Sequence, residues 1–505
     1  MPPILTPDLP LLSLMLLVPV LGALLVWLVP DPRRAPWLAL AALGLDLGLA
    51  LVALAKLDPA VAGFQLVERH AWIPSLNIEY LLGIDGISAL FMVMTPLLGL
   101  GMVAGSWTSA RALARLHYSL LLLLQAATLG IFCALDLMLF FLFWELTLIP
   151  LYFLISLWGL GPQRRFSAVQ YSLFMLASGV PLLFGFLILA FQYAAIQGLP
   201  IPGGLGWDYR LLLGTPLPKG WEMLVFLLLL VGFGVKTPLV PFHTWLPVLA
   251  MEGPASVGAF ITGLKLGAYG LLRFAVPLAP AAAQELHWLL AGLGALGILY
   301  GALAALAQTN LRRMLVFSSI SHVGLVVLGI ASFNLQGTQG AVLQLANFPL
   351  VAGGLFLLAG FLHHRVGSTD ISALSGGAQS LPALASLFFL FGLASLGVPG
   401  TSGFPAELLI LSSALATHTG AGLVALVSLI LGAAYFLRLY RPLFLGPPRG
   451  PDPAPDWDLG PREMAVAGGF ALLVILAGCY PQPLLDLMQA ATQDWTARLP
   501  TSINH

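Results

Sequence analysis

Fourteen apolar runs, each about 20 residues long, follow one another along a chain of 505 residues with only short polar breaks between them. A run of that length crosses a hydrocarbon core of roughly 30 Å as a helix. Within a bilayer only helices and closed barrels satisfy their own backbone hydrogen bonds, and long Leu/Ala/Val/Phe stretches select the helix. Composition agrees, with 59% hydrophobic and 8% charged residues and a mean hydropathy of +0.96, far outside the range of soluble domains. The predicted fold is therefore an all-α polytopic membrane protein of about 14 transmembrane helices. The spans start near Pro10, Pro36, Ile87, Leu116, Asp136, Phe166, Trp221, Pro254, His287, Met314, Ala341, Pro382, Ala421 and Met464. The longest polar segments, residues 56–86, 197–220 and 446–463, are loop-sized, so no soluble domain is expected. The opening segment has neither a basic n-region nor an Ala-x-Ala-like site and reads as a retained first span.

Twenty-one basic and 21 acidic residues cancel, so no charge excess points to nucleic acid as a partner. Cys133 and Cys479 are too few for an iron–sulfur cluster and too far apart in sequence to suggest a disulfide framework. Gly292-Leu293-Gly294-Ala295-Leu296-Gly297 matches a dinucleotide fingerprint, but it lies in an apolar helix with no preceding strand. It reads as helix packing by small residues. His363-His364 lacks a nearby third ligand, which favours interfacial anchoring over metal binding. No cofactor and no metal is expected in this chain.

Basic residues orient the bundle, because translocation disfavours Lys and Arg in short external loops. Twelve, among them Arg33, Arg34, Arg111, Arg115, Arg312, Arg313 and Arg449, fall in odd-numbered loops, and six fall in even-numbered loops or at the ends. This places the odd loops in the cytoplasm and both termini on the periplasmic or lumenal side of a bacterial cytoplasmic membrane or a thylakoid membrane.

Two spans are interrupted alike. The seventh carries Gly232 through Pro241, with Lys236-Thr237-Pro238 at its centre; the twelfth carries Leu396 through Glu407, with Pro399 and Pro405. Proline removes a donor and clashes with the preceding turn, so both helices break or kink at mid-membrane. Each break holds an ionisable residue. The breaks are five spans apart, which suggests two five-helix repeats, spans 4–8 and 9–13; an odd number of spans makes such repeats inverted, as in many transporters. The expected organisation is residues 1–115 for helices 1–3, 116–280 for the first repeat, 281–445 for the second, and 446–505 for helix 14 and the tail. A kink that only shapes packing is the competing reading.

A charge at the bilayer centre costs about 2.5–3.5 kcal/mol on insertion scales and commonly marks a transport path. Glu145, Lys236, Lys265 and Glu407 all fall inside spans. In a low dielectric a carboxylate and a lysine can each be charged or neutral, and their mutual attraction decides which. Such a pair holds or releases a proton, whereas a static ion pair would only fix packing. His322, eight residues into span ten, can pass a proton between its two nitrogens. Asp46, Arg438 and His243 are weaker candidates: Asp46 lies outside the repeats, Arg438 can snorkel from a helix end, and His243 is read as capping the broken helix against carbonyls.

Several stretches together resemble a known family. They are Gly83-Ile84-Asp85-Gly86-Ile87-Ser88, Phe143-Trp144-Glu145-Leu146, Lys236-Thr237-Pro238 with Phe242 through Pro247, and Leu264-Lys265 with Ala268 through Phe274. Phe317 through His322, Gly397 through Phe404 and Tyr480 through Leu484 complete the set. They recur in order over nearly the whole chain and resemble subunit M of proton-pumping NAD(P)H–quinone oxidoreductases of the complex I type, related to Mrp-type sodium/proton antiporter subunits. The resemblance implies 14 helices, inverted repeats with broken helices seven and twelve, and a central polar axis. It implies proton-path roles for Glu145, Lys236, Lys265, His322 and Glu407, and partner membrane and peripheral subunits in a hetero-oligomeric assembly that supply the redox chemistry. The sequence departs from the pattern at Val248-Leu249-Ala250, where Asp-Ala-His is usual, and at Phe348-Pro349, where His-Gly is usual. Either Asn347 and bound water substitute on span eleven, or the second half-channel works differently. A specialised paralogue, of the kind cyanobacteria use for carbon dioxide uptake, fits these departures.

The alternatives are a sodium/proton antiporter subunit and a scaffold with a dead channel. A fixed ammonium repels a metal cation unless it deprotonates, so Lys236 argues for protons in the first half, while Glu407 leaves the second half open.

Overall fold

The computed structural model describes residues 9–371, 373, 375–447 and 458–499. Arg449 and the chain ends lie outside the described residues. Among those described, 12 helices are long and apolar enough to cross a membrane by length and composition. They run from Leu11–Leu28 and Pro32–Lys56 through Ser88–Gly105, Ala114–Cys133, Leu137–Trp158, Arg164–Gln197, Ala255–Leu278, His287–Leu306, Leu311–Ala331, Leu335–Val366 and Thr419–Leu445 to Pro461–Cys479. Two further apolar segments are interrupted where proline and glycine demand it. Lys219–Lys236 stops at Thr237 and resumes as Trp245–Glu252. Pro382–Ser395 and Gly403–Thr417 are separated by the Leu396–Ser402 loop.

The bundle is layered by burial. Leu311–Ala331 and Leu335–Val366 are almost wholly enclosed, whereas Pro32–Lys56, Thr419–Leu445 and Pro461–Cys479 show most of their surface. Exposed side chains there include Trp37, Leu51, Ile430, Leu437 and Leu472. So much outward apolar surface is unstable in water and matches a lipid-facing rim. Leu335–Val366 is the central post: it packs against Ala255–Gly263, Gly403–Thr417, Leu311–Ala331 and Ser88–Gly105, and against the helix Gln482–Ala497 that closes the described chain.

Residues 56–86, expected to be a loop, hold a two-stranded antiparallel hairpin, Gln65–Ile73 paired with Ile78–Ile84. Its one buried acid, Glu68, accepts from the backbone N–H of Leu12 at 2.8 Å and of Ser13 at 3.1 Å. These are orphan donors in the first turn of Leu11–Leu28, so the hairpin caps the first span from 55 residues away.

The Gly83–Ser88 motif has a structural explanation. Asp85 Oδ1 accepts from the N–H groups of Ile87 and Ser88 at 3.1 and 2.9 Å and so starts the Ser88–Gly105 helix. The same oxygen lies 2.6 Å from Arg273 Nη2, and both residues are buried. A Cβ on Gly86 would fall 2.1 Å from the carbonyl oxygen of Leu487, so glycine lets the final helix approach. Arg273 belongs to a π-helical turn, Leu271–Ala275. Carbonyls of that turn find outside donors, Trp495 Nε1 to Leu272 O at 2.8 Å and Tyr209 hydroxyl to Arg273 O at 2.5 Å. Breaking a buried pair by removing one partner costs about 3–5 kcal/mol. Arg273→Leu is therefore expected to lower the melting temperature of the purified protein strongly, and Asp85→Leu/Arg273→Leu to recover part of the loss. A single variant that melts like wild type would show that the pair is not holding the hairpin, span eight and the last helix together.

Candidate functional site

Pro150 cannot donate to the carbonyl of Leu146, and Leu137–Trp158 kinks at Thr147 into Leu137–Leu146 and Leu148–Trp158. Lys236, at the end of its own half-helix, reaches this kink. Its Nζ donates to Thr147 Oγ1 at 2.9 Å and to Trp144 O at 3.3 Å, and lies 3.9 Å from the centroid of the Trp144 ring. Glu145 follows Trp144, whose carbonyl Lys236 contacts, so acid and base are neighbours across the kink. Among the described residues, however, no carboxylate is within salt-bridge distance of Lys236. Glu145 instead packs against Gly179, where a Cβ would fall 2.3 Å from Oε1, and that oxygen is buried without a hydrogen-bond partner. Acid and base are thus adjacent and disengaged.

The break beyond Lys236 is closed by Trp245 and not by histidine. Trp245 Nε1 donates to Val235 O at 3.1 Å. His243, expected to cap these carbonyls, instead packs edge-on against Tyr300 with centroids 4.7 Å apart, and its Nδ1 has no hydrogen-bond partner.

Span eight is interrupted as well, which the sequence reading did not anticipate. Ala255–Gly263 ends, Leu264 and Lys265 leave helical geometry, and Leu266–Gly270 resumes. A Cβ on Gly267 would meet Thr237 N at 2.4 Å, so the two lysine-bearing breaks abut. Lys265 is buried, and its Nζ has one long carbonyl contact, Ile261 O at 3.3 Å, with the Phe348 ring centroid 5.4 Å away. Phe348 thus supplies a π-face to the ammonium where the family resemblance led us to expect an imidazole.

His322 faces the second broken helix. Its Nδ1 is 2.7 Å from Ser318 O and its Nε2 is 2.6 Å from Ser395 O, the carbonyl at the end of Pro382–Ser395. Neutral imidazole carries one N–H and can serve only one of these carbonyls, whereas a ring protonated on both nitrogens would serve both. Glu407 Oε1 lies 3.7 Å from Nε2 and is buried without a hydrogen-bond partner. Glu407 is buried in the crook of the break, where Gly397 has φ +62° and a Cβ would fall 2.2 Å from Oε2. Ser402, in the same loop, donates to Asn347 Oδ1 on Leu335–Val366.

All five residues singled out from sequence therefore lie at helix interruptions or face one, in the order Glu145, Lys236, Lys265, His322, Glu407. Asp46 is buried with Gln125 Nε2 at 3.2 Å, away from this line, and Arg438 ties to Leu306 O at 2.5 Å at a helix end. The sequence reading missed His117, buried with both nitrogens unpartnered against Trp158, and Arg312, a loop residue by sequence that is buried and donates to Gly253 O at 2.6 Å. Among the described residues no group of three or more His, Cys, Asp or Glu could hold a metal ion.

Comparison with known proteins gives a consistent picture. The family described as NADH:quinone oxidoreductase/Mrp antiporter, TM, matches residues 134–432. An NAD(P)H-quinone oxidoreductase chain 4 of a Synechococcus species is 38% identical over 98% of this chain and 94% of its own. The NADH-quinone oxidoreductase subunit M of Pseudomonas aeruginosa is 36% identical over 96% and 98%. A chain of respiratory complex I from Thermus thermophilus, solved with bound NADH, superposes with a TM-score of 0.86 at 31% identity, covering 97% of this chain and all of that one.

Proposed function

This chain belongs to the NADH:quinone oxidoreductase/Mrp antiporter transmembrane family, and from that premise we propose that it is a proton-translocating membrane subunit of a complex I-type NAD(P)H– or ferredoxin–quinone oxidoreductase. Partner subunits of the assembly carry the electron transfer. The observation that supports this reading best is the set of ionisable side chains from Glu145 to Glu407, each at a helix interruption or facing one. Freed backbone carbonyls beside a titratable group solvate its charged form, and the low-dielectric bundle favours the neutral one. A displacement of a few ångströms between Glu145 and Lys236, or between His322 and Glu407, then changes proton affinity.

Fourteen spans follow when the two proline-broken segments are counted with the 12 long apolar helices, and we read residues 116–280 and 281–445 as inverted repeats. One recurring detail supports this. Asp136 caps Leu137–Leu146 with its side chain, while Leu137 N donates to Trp207 O and Tyr209 N to Leu135 O. Five spans later Asn310 caps Leu311–Ala331, while Leu311 N donates to Thr369 O and Ile371 N to Thr309 O. The span that follows each cap is unusually long, Arg164–Gln197 and Leu335–Val366. By the distribution of basic residues the two caps sit on opposite sides of the membrane, as inversion requires.

The same distribution puts both termini on the periplasmic or lumenal side. A reporter that needs the cytoplasm, fused after His505, is expected to be inactive, and activity there would refute the orientation. Purification tests the assembly: the chain is expected to bring iron–sulfur subunits with it. A lone chain active in sodium/proton exchange would replace this reading with that of an Mrp-type antiporter.

A further inference from the structure

Three segments far apart in sequence meet at one end of the bundle, the end read above as cytoplasmic. Arg115, on Ala114–Cys133, donates through Nη2 to Val29 O and Pro30 O, both at 2.7 Å, and so ties the loop after the first span to the start of the fourth. Arg462, at the start of Pro461–Cys479, lies over the Trp107 ring, 4.9 Å from its centroid. Beside these contacts is a partly open cavity of about 660 Å³ bordered by Asp31, Arg33, Trp107, Arg111 and Tyr118. Its volume is that of a small-molecule site, roughly 300–1,000 Å³. Arg33 and Arg111 are exposed, and neither they nor Arg462 form an ion pair among the described residues. Asp31 is the one acid on the border, and its Oδ1 accepts from the backbone N–H of Arg33 at 2.9 Å. Guanidiniums outnumber carboxylates around the space, which makes it attractive to an anion.

The surroundings are those of a membrane interface. Trp27 ends Leu11–Leu28, Trp37 lies near the start of Pro32–Lys56, and Trp107 follows Ser88–Gly105, so all three mark the same end of their spans. Trp37 is 64% exposed and packs edge-on against Trp107 with ring centroids 4.9 Å apart. Tryptophan concentrates at the level of lipid headgroups. One turn deeper, Leu24 and Leu28 leave 61% and 76% of their surface uncovered, an apolar track for acyl chains beside the cavity. We propose that the cavity binds the phosphate of an anionic phospholipid, whose chains run along the exposed side of Leu11–Leu28 and Pro32–Lys56. Arg33 and Arg111 hold the phosphate oxygens, since the planar guanidinium fork matches phosphate two oxygens at a time. A basic pocket between membrane helices selects a head group of net negative charge over a zwitterionic one, whose ammonium would be brought among guanidiniums. Arg115 is a positioning residue: its own guanidinium is occupied by the Val29 and Pro30 carbonyls, and it fixes the loop that carries Arg33.

The test uses the intact assembly, purified and stripped of lipid in detergent, then offered phosphatidylglycerol, phosphatidylcholine or inorganic phosphate. Native mass spectrometry reads the lipid retained, and the melting temperature reads binding to the folded state. Wild type is expected to retain phosphatidylglycerol in preference to phosphatidylcholine and to melt higher with it. Arg33→Gln and Arg111→Gln are each expected to weaken that binding about fivefold, the scale of one basic residue at an anionic lipid surface, and the double variant to lose the preference. Arg34→Gln removes an exposed arginine that does not border the cavity and is expected to bind like wild type. Unchanged melting in phosphatidylcholine shows that the variants are folded. Equal retention by the double variant, or an equal loss in Arg34→Gln, overturns the site. Equal retention of the two lipids overturns the selection by charge. Inorganic phosphate that raises the melting temperature as much as phosphatidylglycerol overturns the lipid and leaves a free-anion site. A neighbouring subunit that fills the cavity, seen as no added lipid on wild type, overturns the inference as well.

Discussion

Lys236→Met and Lys236→Arg are both expected to lose proton translocation by about 10²-fold or more, the scale of a positioned proton-transfer side chain, while the protein still assembles. Methionine keeps the length and much of the apolar stem but offers no proton. Arginine keeps the charge and the ring contact with Trp144, yet guanidinium stays protonated at any accessible pH and cannot cycle. The two variants therefore separate a carrier from a fixed charge. Glu145→Gln belongs in the same experiment, since the amide preserves shape and the Oε1 atom it replaces makes no hydrogen bond; its loss of function would come from charge alone. Acid pulses or redox-driven uptake in proteoliposomes read all three. An arginine variant that pumps like wild type would leave Lys236 as a static cation and move the carrier role to Lys265 or to water.

The resting geometry explains why the two groups can work as a switch. Lys236 is held by a hydroxyl, a carbonyl and an aromatic face, and Glu145 lies on Gly179 without a partner. Direct pairing would favour both charges, and the observed separation removes that mutual support. A small shift of the Arg164–Gln197 helix, which carries Gly179 and packs along Lys219–Lys236, would change the separation.

Much of this was legible in the sequence because lipid imposes a simple rule: a span must be apolar and about 20 residues long. Thirteen of the fourteen expected starts fall within three residues of the start of a helix, and the eleventh, Ala341, lies six residues inside Leu335–Val366. Lys236 and Glu407 were visible as charges beside prolines, for the same reason that soluble-protein logic fails there. Harder to read were contacts set by tertiary structure. The Gln65–Ile84 hairpin reads as a loop because its first strand exposes Arg69, His70, Ala71 and Trp72 in a row and buries only Glu68, so no apolar alternation marks it. The interruption at Lys265 carries no proline of its own, and Asp85 meets Arg273 across 188 positions, which no local periodicity encodes. Nothing local says what Gly86 and Gly267 make room for, because Leu487 and Thr237 lie far away in the chain. His243 was misassigned for a related reason: tryptophan and histidine both donate, and only packing decides which ring reaches Val235 O.

Glu407→Gln is the second substitution with a large expected effect, on the order of 10²-fold in proton translocation. The carboxylate is the one acid facing His322, at 3.7 Å from Nε2, and both ring nitrogens are otherwise occupied by carbonyls that favour N–H donors. Removing the negative charge leaves a buried imidazolium without a counter-ion, which is costly in a low dielectric, so the ring sheds a proton and one carbonyl contact is lost. Glutamine cannot then accept the next proton. Nitrogen-resolved magnetic resonance on labelled histidine should show His322 with two N–H groups in wild type and one in Glu407→Gln. Gly397→Ala controls for the fold: with φ +62° and its Cβ 2.2 Å from Oε2, it should displace Glu407 and damage assembly as well as pumping. Glu407→Gln should leave assembly intact. A Glu407→Gln protein that assembles, pumps at the wild-type rate and keeps a doubly protonated His322 would mean that the carboxylate is only packing in the crook of the break, and that the proton leaves the second half by a route that avoids the broken helix.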